Sequence, residues 1–73
     1  MRFLDRFERA IEQIRQEPGI GSRRMAATLG LPELRVWPVR DFPYLIFYLD
    51  RATGPEIWRL LHGARDIPAN LRE

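Results

Sequence analysis

An α+β fold is predicted by the 73-residue sequence, with one N-terminal amphipathic helix packed on a three-stranded antiparallel β-meander in a single domain, residues 1–73. Three observations carry that expectation. Apolar residues recur at helical spacing through residues 2–17. After residue 33 the pattern switches to strand-like apolar runs, and turn-forming residues divide these into three.

In the helix, Phe3, Leu4, Phe7, Ala10, Ile11 and Ile14 fall on one stripe, with charges on the opposite face. Asp5 stands four residues before Arg9, the favourable order for an ion pair. Glu17-Pro18-Gly19 ends the helix, because proline restricts the residue before it. Residues 18–33 read as a connector with a short helical turn over 22–29, capped by Ser22 and ended by Gly30 and Pro32. Gly19 and Gly21 read as ordinary loop flexibility. Residues 34–39 form a first strand in which Pro38 requires an edge or a strand end. Residues 44–49, Tyr-Leu-Ile-Phe-Tyr-Leu, are continuously apolar, as in a central strand covered on both faces. Residues 56–62 form a third strand with Ile57, Arg59 and Leu61 on one face and Trp58, Leu60 and His62 on the other. Residues 64–73 read as a polar tail with Leu71 near its end.

Composition excludes several function classes. The chain has no cysteine and a single histidine, so disulfide staples, thiolate metal sites and a zinc site are not expected. No apolar run reaches the ~18 residues of a membrane-spanning helix, and no signal-peptide core follows the N-terminal charge. A cytoplasmic protein without cofactors or metals is the expectation. All 12 basic residues are arginine, yet the net charge is only +2, so direct nucleic-acid binding is not expected. Residues 18–40 carry the one basic excess, with Arg23, Arg24, Arg35 and Arg40 against Glu33 alone.

Catalytic constellations are poor. Ser22 and His62 lie in different elements, the Pro18–Ser22 glycines lack the lysine of a phosphate loop, and Asp5, Glu8 and Glu12 sit among arginines. The unusual stretch is Leu60-Leu61-His62-Gly63-Ala64-Arg65-Asp66, where a histidine and an arginine bracket a tight turn at a strand end. It reads either as a self-satisfied turn or as a polar corner for partner contact. The candidate partner- or target-binding residues are Arg59, His62, Arg65, Asp66 and Trp58, with Arg35 and Arg40 from the basic middle. Arg59 would place one charge within an apolar row of its strand.

Leu34-Arg35-x-Trp37-x-Val39, then Tyr44-x-Ile46-Phe47-Tyr48, then Leu60-Leu61-His62-Gly63-x-Arg65-Asp66 together resemble the C-terminal half of toxins of the RelE/ParE superfamily, the ParE branch especially. The helix with Phe3-Leu4-x-x-Phe7-x-x-Ala10-Ile11 and the loop Pro18-Gly19-Ile20-Gly21 resemble that family's second helix and its exit. The usual N-terminal strand and first helix have no counterpart here. The resemblance implies a type II toxin that poisons DNA gyrase by binding, serves plasmid stabilisation, and is neutralised by a cognate ParD-like antitoxin. The alternatives are a RelE-like messenger-RNA interferase, or a truncated remnant that binds antitoxin or self-associates without poisoning anything. Against the ribonuclease, Leu45 stands where that branch commonly has a basic residue, and lysines typical of its site are absent. With the family's first helix missing, the stripe of Phe3, Leu4, Phe7, Ile11 and Ile14 is expected to seek a second copy. The expected assembly is a homo-oligomer, chiefly a dimer through helix 2–17.

Overall fold

The computed structural model describes residues 2–67. Helix α1 (Arg2–Gln16) is followed by a 3-10 turn (Pro18–Ile20), a short helix α2 (Arg24–Leu29), and strands β1 (Leu34–Pro38), β2 (Tyr44–Arg51) and β3 (Gly54–His62). The strands form an antiparallel sheet in the order β1-β2-β3, so the continuously apolar strand is the central one. The α+β arrangement of a helix followed by a three-stranded meander is the one the patterning predicts.

The two faces of β2 build two cores. Ile46 and Tyr48 pack with Ala10 and Ile14 of α1 and with Val39. Phe47 packs on the other face with Met25 and Ala26 of α2, Leu34, Val36 and Ile67. The second core draws on two segments outside the meander. The short helical turn expected over 22–29 is α2, and it buries Met25 and Ala26. Ile67, assigned above to a polar tail, is buried beneath it. Leu71 lies outside the described residues.

The α1 stripe finds its mate in the sheet rather than in a second helix. Ala10 and Ile14 are fully buried, and Phe3, Phe7 and Ile11 pack against the same core. Leu4 is the correction, because it lies at the stripe's margin and stays 58% exposed. On the β1 side of α1, Gln13 accepts a bond from Trp37 Nε1 at 3.1 Å and Arg6 pairs with Asp41 at 3.1 Å. Leu4 falls on the opposite flank by helical spacing, toward β3.

Ser22 is not the residue at the cap of α2. That position is Arg23, while Ser22 Oγ accepts a bond from the Arg24 amide at 3.2 Å. Ser22 instead pairs backbone-to-backbone with Val36, which covers part of the outer edge of β1. The β1–β2 turn holds Asp41 at φ 71°, a left-handed conformation that aspartate tolerates better than most residues.

Candidate functional site

The strand β3 and the turn after it gather five of the seven candidate residues. Phe47 pairs with Arg59 but Tyr48 pairs with Ile57, so Trp58 is an extra residue, a β-bulge. The bulge corrects the strict alternation expected for this strand. Directly opposed residues share a face, so Arg59 and Leu61 lie on the α2 side with Phe47 and Leu45. Ile57 passes to the α1 side with Tyr48, where Leu60 and His62 also lie. Arg59 therefore does not share a row with Ile57.

Much of β3 is open to solvent. Ile57 (43%), Trp58 (47%) and Leu60 (39%) join Leu4 as large exposed apolar side chains. Beside them, Phe3, Phe42, Tyr44 and Leu60 line an apolar cleft of about 350 Å³. Its wall is an aromatic chain, with Phe3 5.2 Å from Phe42 and 5.4 Å from Tyr44 between ring centroids, and Tyr44 edge-on to His62 at 5.2 Å. Arg59 is exposed and has no ion-pair partner among the described residues.

The turn at His62 is a closed hydrogen-bonded unit. The Ala64 and Arg65 amides donate to His62 Nδ1 at 3.1 and 3.0 Å. With Nδ1 accepting, only Nε2 of the His62 ring is left to donate. Asp66 closes the turn twice: its Oδ2 accepts from the His62 amide, and its own amide donates to the His62 carbonyl, each at 2.8 Å. Arg65 stays exposed, 3.8 Å from Asp66. The turn is thus satisfied internally through its backbone and the His62 and Asp66 side chains, while the Arg65 side chain faces water.

Arg35 and Arg40 lie away from this cluster. Arg40 is exposed in the β1–β2 turn. Arg35 is engaged internally, where Nε donates to Asp50 Oδ2 at 2.9 Å and Nη1 donates to the carbonyls of Gly21 and Gly19 at 2.9 and 3.2 Å. Tyr48 completes the clamp from within the core. Its hydroxyl donates to the Pro18 carbonyl at 2.5 Å and accepts from the Gly21 amide at 2.9 Å. Burial pushes the Tyr48 phenol above its ordinary value, outweighing the opposing Gly21 hydrogen bond and nearby Arg35 charge. Gly21 is therefore no mere flexible joint: a Cβ there would stand 2.7 Å from the Tyr48 hydroxyl and 2.9 Å from Arg35 Cβ. Sequence reasoning missed this clamp, although a tyrosine in an otherwise apolar central strand was a signal that a polar partner must reach it.

Among the described residues no group of three or more histidines and carboxylates is placed to hold a metal ion, and no helix is long and apolar enough to cross a membrane. No curated relative and no solved structure gives a significant match to the chain. The model of one family does match, that of the ParE toxin of the type II toxin–antitoxin system parDE, over residues 1–67. That match spans α1, both cores and the His62 turn, and the chain belongs to the ParE toxin family of type II toxin–antitoxin systems.

Proposed function

We propose that this protein is a toxin that acts by binding DNA gyrase, is not an enzyme, and is held inactive in the cytoplasm by a ParD-like antitoxin. The family match over residues 1–67 is the observation that carries the reading. The His62 turn supports its non-enzymatic part. His62 Nδ1 is committed to two backbone amides, so half of the imidazole serves as a turn cap rather than a proton relay. Arg65, with its exposed planar fork, is the residue best suited to grip a carboxylate on the target. Trp58, Leu60 and Arg59 on β3 form the surface for the antitoxin, which binds by coupled folding. Plasmid stabilisation follows from such a pair when it is plasmid-borne.

Self-association belongs to the same reading in revised form. The stripe of α1 is spent on the sheet, so a homo-oligomer would use Leu4, Ile57, Trp58 and Leu60 instead.

The ribonuclease reading is tested by incubating the purified chain with RNA. The proposal expects no cleavage above that of a His62→Ala/Arg65→Ala double variant. Cleavage that disappears in the folded double variant would replace the binder by an enzyme.

A further inference from the structure

Three hydrogen bonds establish which main-chain groups of β3 face outward. The Gly63 amide donates inward, to the Pro43 carbonyl at 2.8 Å. The His62 amide and carbonyl instead point away from β2, where Asp66 satisfies both. Main-chain groups alternate direction every residue along an antiparallel ladder, so the N–H and C=O of Leu60 also point outward. The Asp66 turn stops at His62, and Leu60 has no main-chain partner among the described residues on that side.

The side chains around this open pair differ in character by face. Leu60 lies on the α1 side and forms part of the cleft with Phe3, Phe42 and Tyr44. Arg59 lies on the α2 side beside Leu61, exposed and without an ion-pair partner among the described residues.

We propose that the outer edge of β3 over residues 59–62 receives an extended peptide as a fourth strand, one whose sequence alternates apolar and acidic residues. Leu60 supplies the main-chain hydrogen bonds. A carboxylate of the peptide falls on the α2 side next to Arg59. Its neighbours fall on the α1 side over Leu60, and one of them enters the cleft. The Trp58 bulge breaks the register beyond residue 59, so the paired segment is short. For its occupant in the cell the proposal rests on the toxin–antitoxin reading, with the antitoxin as the source of the segment.

The test uses the full chain and two short synthetic peptides, one alternating valine with glutamate and one alternating valine with lysine. The valine–glutamate peptide is expected to bind and to slow hydrogen exchange at the Leu60 amide, while the lysine peptide does not bind. Arg59→Glu is expected to weaken the acidic peptide by ~10-fold or more and to admit the lysine peptide. Leu60→Pro removes an outward N–H that the β2–β3 ladder does not use, so it is expected to abolish binding with the circular dichroism unchanged. Should Leu60→Pro fail to fold, Arg59→Glu and the exchange measurement still decide the matter. Equal binding of both peptides, no binding, or an unprotected Leu60 amide would overturn the proposal, as would a dimer of the free chain through β3 that the valine–glutamate peptide does not open. Gyrase inhibition without peptide binding would remove this proposal alone, and peptide binding without gyrase inhibition would remove the toxin reading alone.

Discussion

Replacing Tyr48 with phenylalanine removes one oxygen from the centre of the fold and leaves the ring's packing intact. That oxygen accepts from the Gly21 amide and donates to the Pro18 carbonyl, and the Tyr48 side chain is fully buried. A net hydrogen bond is worth about 1 kcal/mol, and a buried amide left unsatisfied costs a further ~1–3 kcal/mol, so the loss should be about 2–4 kcal/mol. A domain of this size has a total stability of roughly 4–11 kcal/mol, so the change is a large fraction of it. The melting temperature should fall by roughly 10–30 °C, read by thermal unfolding followed by circular dichroism. Hydrogen exchange at the Gly21 amide should accelerate more than exchange in β2. A Tyr48→Phe variant within about 0.5 kcal/mol of the parent would refute the clamp as a determinant of stability.

The same phenol makes a pH prediction. Its folded pKa lies above the ordinary 10.0, so below that value both states hold the proton and the contribution is intact. As pH rises past 10.0 the unfolded chain loses its proton first, and stability falls until the folded phenol ionises. Urea unfolding measured across this range should show a downward slope that Tyr48→Phe reduces. Gly21→Ala should destabilise the fold through its Tyr48 clash, and Gly21→Ala with Tyr48→Phe should cost less than the two single changes added together, as a double-mutant cycle would show. Ile14→Ala, at a fully buried site between α1 and β2, should cost about 2–5 kcal/mol in denaturant unfolding. His62→Ala uncaps the Ala64 and Arg65 amides and should cost about 1 kcal/mol by the same assay.

The helix, the meander and the central strand were legible because each is a local pattern with its own period. Residues 44–49 have no polar side to give to water, and β2 has neither face open. What escaped the sequence was set by pairing partners far along the chain. The bulge at Trp58 is invisible in β3 alone, since it is defined by which residues of β2 stand opposite, and it moved Ile57 off the face of Arg59. Gly21 looked like flexibility because the tyrosine that forbids a side chain there is 27 residues away. Leu4 belonged to the stripe by spacing, but it lies at the stripe's margin and stays exposed. Of the candidate residues, the His62 turn was recognisable from its local sequence. Arg35 was singled out by the basic excess as a candidate for partner contact, and its engagement with Asp50, Gly19 and Gly21 follows only from the fold.

The proposed function is that this chain poisons gyrase by binding. Its most direct test is DNA cleavage by purified gyrase, in the presence of ATP, with and without the protein. Gyrase-dependent double-strand breaks are expected to accumulate, to be reduced by Arg65→Ala and to be abolished by an added cognate antitoxin. Gyrase activity untouched by the folded protein at high micromolar concentration would contradict it.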